Sequence, residues 1–500
     1  MGNDSLNLAL RKKFLLWGSA VAFVAALVLY LLCLDPNASL WDCPEYITSA
    51  RRLEIGHPPG NPTWMLVANF ATLFVTEPTR VALVVNLLSA LSMALAVALL
   101  FQTIFLLLEY TVFKKRNFSS VAGNAVSSLC GSLVFAWSDS TIFSAIEAEV
   151  YALSMLSTAF MVWLMLKWAI AFRKGENRTN YLILLGYVGG LSFGVHELSL
   201  LTLTTLALIY VFAINRRPSA GKAWLAVLLS FVAIGFILIV CLPMVAYTAG
   251  MADVAAANHL GLGINSGAVI FLCLFYLVLL CLPFLCSRLK LYKASTLCWV
   301  FFFFMLGCAT YLIIPIRASA NPPMNQADPS NPLAFYSYLT REQYGSKPLF
   351  YGRTPYSSIL KVEEIDSAGH ASYNKFYREK TKPRYVPYVK GAHVLNRTGL
   401  LTPSDSLENE KVIGRGEGYI KYGYRYKHAN EPELNMWFPR ITESSPAALQ
   451  DYKAWADMDE NTMDYVEVSA AVDSLGRYVG KFPGGDTSKA RLKEKKYRPT

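Results

Sequence analysis

The chain has 500 residues, 54% of them apolar and 16% charged, and its 46 basic and 35 acidic side chains leave a net charge of +11. Apolar runs near twenty residues long recur along it, which excludes an ordinary soluble enzyme and describes a polytopic integral membrane protein. Basic clusters at span ends and a mixed-charge tail account for the positive charge, so it implies no nucleic-acid partner.

In chain order, the first apolar run, Phe14 to Leu34, follows Arg11-Lys12-Lys13 and carries no small-residue cleavage site, so it reads as a retained anchor with a cytoplasmic N-terminus. Further basic groups follow at Lys114-Lys115-Arg116, at Arg173, Lys174 and Arg178, at Arg216, Arg217 and Lys222, and at Arg288, Lys290 and Lys293. Each falls two spans beyond the last, the spacing expected where short cytoplasmic loops hold the Lys and Arg excess. The pattern predicts an all-α polytopic domain over residues 1–316 with about nine transmembrane helices, near 14–34, 80–108, 120–137, 151–171, 181–195, 198–214, 223–247, 267–287 and 295–316. Tyr181 to Ile214 is nearly continuous, broken only by His196-Glu197. One tilted helix there would put Arg216 and Arg217 outside and invert everything downstream, so the charge pattern favours two. Gly186, Gly189, Gly190 and Gly194 suit a close-packed, broken helix.

Between the first two spans, residues 35–79 form an outer loop. It opens on Trp41-Asp-Cys-Pro-Glu-Tyr46, where Pro44 in a first helical turn would put Asp42 and Glu45 on one face, with Arg51 and Arg52 within two turns. Trp64 to Val75 is apolar but too short to span, and reads as an interfacial or re-entrant helix. With this topology, ten of the thirteen acidic residues before residue 317 lie outside or at outer span ends. Asp42 and Glu45, then Glu147 and Glu149, then His196 and Glu197 arrive at three successive outer ends, where ionisable groups near lipid are costly and usually functional. An equally simple reading is that acids remain where Lys and Arg are confined to the other side.

From residue 317 to 500 the character changes. These residues hold 27 of the basic and 22 of the acidic groups and no run long enough to span, so they read as a small soluble outer portion, α/β or irregular. Phe335 to Leu339 with Arg341-Glu-Gln-Tyr-Gly345 suggests one short helix ending at the glycine, Tyr419 to Tyr426 a strand or two, and Lys489 to Thr500 a basic end without regular structure. All nine cysteines precede residue 309, and only Cys43 lies in the outer loop, so no outer disulfide and no metal-ligand spacing is expected.

Trp41-Asp-Cys-Pro-Glu-Tyr46, Leu53-Glu-Ile-Gly-His-Pro-Pro-Gly-Asn-Pro62, Ile146-Glu-Ala-Glu-Val-Tyr151, Gly190-Leu-Ser-Phe-Gly-Val-His196 and Ile314-Pro-Ile-Arg-Ala-Ser-Ala-Asn-Pro-Pro323 with Arg341-Glu-Gln-Tyr-Gly345 together resemble a bacterial multispanning family of unassigned function. That family is related to the animal transmembrane protein O-mannosyltransferase that modifies plexin-type domains. The resemblance covers roughly residues 10–355. It implies a GT-C fold, a glycosyltransferase using a lipid-phosphate-linked sugar with mannose as the default, a catalytic acid residue in the first outer loop, and a place in the bacterial inner membrane. Members of that family continue into further spans and a larger C-terminal region, whereas this sequence stops at Thr500.

Such chemistry needs a carboxylate to take the acceptor hydroxyl's proton, basic groups to hold the leaving phosphate, and a site where lipid donor and soluble acceptor meet. Asp42 is the expected base, with Glu45 as neighbour or substitute. Arg51, Arg52, Arg317 and Arg341 are the expected phosphate holders, because guanidinium grips phosphate in a fork and stays charged beside lipid; Arg51 and Arg52 read equally well as headgroup anchors. His57, before two prolines and a glycine, is a rigid turn element first and a sugar or phosphate contact second. Glu147 and Glu149 are expected to hold sugar hydroxyls, orient an arginine or bind a divalent cation, with helix-start hydrogen bonding as the plain alternative. His196 beside Glu197 is the third outer pair. No cofactor is fixed by the sequence, a divalent cation staying open, and the expected partners are a polyprenyl-phosphate sugar, an envelope protein or glycan acceptor, and the bilayer. A lipid-linked sugar flippase would place its ionisable groups near mid-membrane; it stays open beside a truncated, non-catalytic anchor.

Overall fold

The structure, a computed structural model, describes residues 2–111, 118–344, 349–353, 363–365, 371–373, 379–391, 401–427, 435–439, 445–455, 464–471 and 489–496. The cluster Lys114-Lys115-Arg116, Gly345 and the last four residues of the basic end lie outside them. The chain divides into two units, Met1–Ala252 with Ala268–Arg341, and Asp253–Gly267 with Glu342–Thr500.

The first unit is helical. Its elements are α1 (Gly2–Cys33), α2 (Cys43–Arg52), α3 (Pro62–Thr72), α4 (Val81–Thr111), α5 (Phe118–Ala136), α6 (Asp139–Ile146), α7 (Val150–Arg173), α8 (Thr179–Phe193), α9 (Thr202–Ile214), α10 (Ala220–Phe236), α11 (Leu242–Leu260), α12 (Ser266–Arg288), α13 (Tyr292–Cys308), α14 (Ile313–Ala318) and α15 (Pro332–Leu339), except that α11 from Asp253 on and α12 up to Gly267 fall in the second unit. Among the described residues, 8 helical stretches are long and apolar enough to cross a membrane: Ala9–Cys33, Pro78–Tyr110, Ser119–Ala136, Val150–Arg173, Glu197–Ile214, Ala220–Leu260, Ser266–Arg288 and Tyr292–Ala318. Each coincides with a span expected from the sequence. The remaining expected span, 181–195, is present as α8, whose 15 residues reach only about 22 Å at 1.5 Å per residue.

The run 181–214 is indeed broken in two. α8 stops at Gly194, the chain extends through His196, and a short 3-10 turn, Glu197–Leu201, leads into α9. The glycines of α8 explain its packing. A Cβ at Gly186 or Gly190 would fall on the backbone carbonyls of Val300 and Phe304 in α13, and one at Gly307 of α13 would stand 2.5 Å from the Tyr187 carbonyl. Small residues on both helices therefore bring the two backbones into contact. The span near 223–247 is longer than expected: α10 and α11 run together through a π turn at Ile237–Cys241, and their 41 residues reach about 60 Å, twice the hydrocarbon thickness.

Long-range polar contacts tie the ends of this bundle. Arg11 Nε donates to both carboxylate oxygens of Glu109 at 2.7 and 2.8 Å, and buried Asn86 donates to the carbonyls of Asp35 and Asn37 at 2.7 and 2.9 Å. Leu, Val, Ile and Phe side chains such as Leu228, Val232, Ile239, Leu277 and Phe284 face outward along the spans, as lipid-facing positions should.

In the second unit, β1 (Tyr351–Arg353), β2 (Glu363–Ile365), β3 (Ala371–Tyr373), β4 (Glu379–Val389), α16 (Pro403–Arg415), β5 (Glu417–Lys427), β6 (Asn435–Trp437), α17 (Pro446–Trp455), β7 (Asp464–Ala471) and β8 (Lys489–Lys496) form antiparallel pairs β1 with β6, β2 with β3, β4 with β5 and β7 with β8. The Tyr-rich stretch expected as a strand is β5. The basic end expected to lack structure instead supplies β8, paired antiparallel with β7 from Asp464 opposite Lys496 to Ala471 opposite Lys489. α16 begins with a capping box between Thr402 and Asp405. Fully buried Asp253 accepts the Tyr419 hydroxyl at 2.6 Å and the backbone N–H groups of Asn265 and Gly267 at 2.8 and 2.9 Å.

Candidate active site

The expected site residues all belong to the first unit. Pro44 stands in the first turn of α2 as expected, and Asp42 occupies the N-cap. Cys43, Tyr46, Ile47 and Ala50 turn inward, which leaves Asp42 exposed and Glu45 at the edge. α2 ends at Leu53, whose φ of +50° opens a left-handed cap in which the Glu54 N–H returns to the Ser49 carbonyl at 2.9 Å. Arg317 completes that cap, donating from Nε to the Leu53 carbonyl at 2.9 Å and from Nη2 to the Arg52 carbonyl at 3.1 Å.

After the cap, Ile55 pairs with the stretch around Asn325: its N–H donates to Met324 O at 2.9 Å and its carbonyl accepts Gln326 N–H at 3.1 Å. The chain then turns from His57 to Gly60. Gly60 has a φ of +75°, and a Cβ there would lie 2.9 Å from both Ile314 Cδ1 and the Tyr338 hydroxyl, so both backbone and space require glycine. Tyr338 donates to the Gly56 carbonyl at 2.8 Å and holds the turn from α15. From the turn's far end, Thr63 N–H donates to Gly194 O at 2.9 Å and Trp64 Nε1 to Glu149 O at 3.2 Å, tying α3 to the end of α8 and the start of α7.

Within this frame Glu45 and His57 form a pair. Glu45 Oε1 lies 2.8 Å from His57 Nδ1 and accepts the His57 backbone N–H at 2.7 Å, while Oε2 accepts Gln326 Nε2 at 3.2 Å. Burial pushes the Glu45 carboxyl up, but the His57 hydrogen bonds outweigh it and hold it below the ordinary range. The hydrogen bond to Glu45 raises His57 against its partial burial. Tyr46 packs edge-on to His57 and meets the Asn61 amide at 2.8 Å; that amide is best oriented with its oxygen accepting from Tyr46 and its nitrogen donating to Val195 O at 3.0 Å.

Asp42 differs from Glu45. Its carboxylate takes no hydrogen bond from any described residue, and its charge acts on His57, Tyr46 and Glu149. Glu147 and Glu149 flank Ala148 in a tight link between α6 and α7, where the Glu149 N–H turns back onto the Glu147 carbonyl at 2.9 Å. Glu147 accepts Ser39 Oγ at 2.5 Å. Glu149 is 8% exposed, and burial, reinforced by Asp42 and Glu147, pushes its carboxyl up to about 7. His196 lies 5.4 Å from the Tyr151 ring and accepts the Leu198 N–H on Nδ1 at 3.2 Å, so its proton sits on Nε2; burial, and then Arg341, lowers its pKa.

The structure thus gathers Asp42, Glu45, His57, Glu147, Glu149, His196 and Glu197, with Arg341 acting on His57, His196 and Glu197. The other arginines go elsewhere. Arg51 donates to the carbonyls of Thr72 and Val75 and closes α3, Arg317 caps α2, and Arg52 is exposed with Nη1 3.8 Å from Glu54. Glu54, grouped by sequence with the outer acids, is buried inside the turn. Among the described residues, no three His, Cys, Asp or Glu side chains converge as metal ligands. Sequence reasoning missed Gln326, Tyr46 and Tyr338. Tyr46 was adjacent to Glu45 in the motif, but Gln326 sat in a stretch legible only as turn formers. The short helix expected to reach Gly345 ends at Leu339, because Arg341 takes a φ of +54°.

Residues 42–219 match the family model described as the protein O-mannosyl-transferase TMEM260 N-terminal domain. Protein O-mannosyl-transferase TMEM260 of Mus musculus is 38% identical over 88 residues, which is 18% of this chain and 12% of the mouse protein. No solved structure matches the chain. The family match opens on Asp42 itself and runs through His57, Glu149, His196 and Glu197, and over that stretch the chain is related to the animal TMEM260 family.

Proposed function

We propose that this chain is a GT-C-type membrane glycosyltransferase, similar to a protein O-mannosyltransferase. It moves a sugar, by default mannose, from a polyprenyl-phosphate donor to a hydroxyl of an envelope protein or glycan on the outer face of a bacterial inner membrane. The observation that carries the reading is Asp42: an exposed carboxylate without a hydrogen-bond partner among the described residues, at the first residue of the family match. Glu45, with both oxygens engaged, is poorly placed to substitute for it.

As the acceptor hydroxyl attacks the anomeric carbon, its proton passes to Asp42, the bond from that carbon to the phosphate oxygen breaks, and the electron pair leaves on the phosphate. One base and one displacement give inversion at the sugar. Glu147 and Glu149 are suited to sugar hydroxyls, Glu149 as a donor while it holds its proton. His196, with Nε2–H available, is a further donor.

The test is sugar transfer from synthetic polyprenyl-phosphate mannose by the purified chain and its Asp42→Asn variant. Loss of about a hundredfold or more in turnover, with unchanged expression and melting, is expected when a general base is removed. Undiminished turnover in the variant overturns the assignment.

A further inference from the structure

The pair at the centre of the site has one unused atom. His57 is fixed twice by Glu45, through the ring at Nδ1 and through its own backbone N–H, and its ring is packed against Tyr46. The side chain is 23% exposed, and Nε2 has no partner among the described residues. With Nδ1–H donating to a carboxylate, the second ring nitrogen is a donor while the ring is protonated and an acceptor once it is neutral.

The charges around it are mixed. Glu45 and Asp42 on α2 and Glu149 at the start of α7 favour the imidazolium, and Arg341 after α15 opposes it. Two of the four arginines expected to hold phosphate are committed to helix carbonyls. A cation fixed by a carboxylate and open on one side is suited to an anion.

We propose that His57, positioned by Glu45, receives the leaving phosphate of the donor through Nε2–H. The inference rests on the lipid-phosphate reading above. In the step, the hydroxyl proton goes to Asp42, the bond from the anomeric carbon to oxygen breaks, and the prenyl phosphate gains a second negative charge. The His57 imidazolium lies against that charge. Glu45 is a positioning residue: it touches no reacting atom and sets the ring's orientation and charge.

The experiment measures binding of farnesyl phosphate and of uncharged farnesol to the purified full chain between pH 5.5 and 9. The wild type is expected to prefer the phosphate, the preference falling as pH rises through the raised pKa of His57. His57→Gln should lose about tenfold in phosphate affinity, as for a charge-assisted hydrogen bond, and the His57-dependent part of the pH response. Glu45→Gln should move the fall to lower pH. His57→Arg should keep affinity without the fall, which guards against a folding defect in the glutamine variant. The phosphate's own second ionisation near pH 6 is common to every variant and cancels between them. If His57→Gln binds as the wild type does at every pH, the His57 assignment is overturned and the transferase reading survives. If the wild type shows no preference for phosphate over alcohol at any pH, the lipid-phosphate reading fails, and this inference with it.

Discussion

Glu149 shows how one residue's surroundings set its chemistry. A tight link holds it between two helices, burial and the charges of Asp42 and Glu147 oppose its ionisation, and its folded pKa rises from 4.5 to about 7. Below 4.5 the carboxyl is protonated both folded and unfolded. As pH rises from there the unfolded chain releases the proton while the folded chain keeps it, so stability falls until the pH passes about 7. Glu149→Gln removes that slope. The wild-type melting temperature in detergent should therefore drop between pH 5 and 8 relative to the variant, leaving the variant about 3 °C or more ahead at pH 8. Parallel curves would mean that Glu149 is ionised throughout. The sequence exposed the Glu-Ala-Glu spacing but not this shift, since desolvation depends on Trp64 and the α3 helix being laid across the link.

At the scale of elements, α2 was legible almost whole: Pro44 marked its first turn, and Asp42 and Glu45 fell where a helix would put them. Its other end was not. Arg317 read as a phosphate ligand because an arginine at a span end beside lipid carries that meaning from sequence alone, whereas here two carbonyls from a helix 264 residues away take its Nε and Nη2. Long-range capping leaves no periodic trace. The consequence is testable, because α2 carries Asp42: Arg317→Leu leaves the Arg52 and Leu53 carbonyls without these donors and should destabilise the unit by about 1–3 kcal/mol, while Arg317→Lys restores part of the loss. If Arg317 were instead a donor ligand, the leucine variant would melt as the wild type does and lose only affinity for the lipid phosphate. Thermal melting with and without farnesyl phosphate separates the two.

For the molecule as a whole, the convergence of the first unit bears on topology independently of charge. If α1, α4, α5, α7, α8, α9, the joined α10 and α11, α12, and α13 each cross once, then Asp42 follows one crossing, Glu149 three, His196 five and Arg317 nine. These numbers are all odd, and the four residues belong to one connected frame through Trp64, Thr63 and the carbonyls of α2. Were α8 and α9 a single crossing, Arg317 would emerge on the side opposite Asp42 and could not cap α2. The short α8 is therefore expected to cross, its 15 residues tolerated because Gly186 and Gly190 seat it against α13 and not against lipid. The nine native cysteines are free, so a cysteine-free chain with single cysteines introduced at exposed Ala38, Ser219 and Ala320 reads the arrangement directly with a membrane-impermeant maleimide. Ala38→Cys and Ala320→Cys should label from one side and Ser219→Cys from the other. Labelling of Ala38→Cys and Ser219→Cys from one side and of Ala320→Cys from the other would mean that α8 and α9 make a single crossing, and the site as described could not assemble in a membrane. The expected pattern would also place the segment carrying Asp42 on the side where Arg317 emerges from the last crossing.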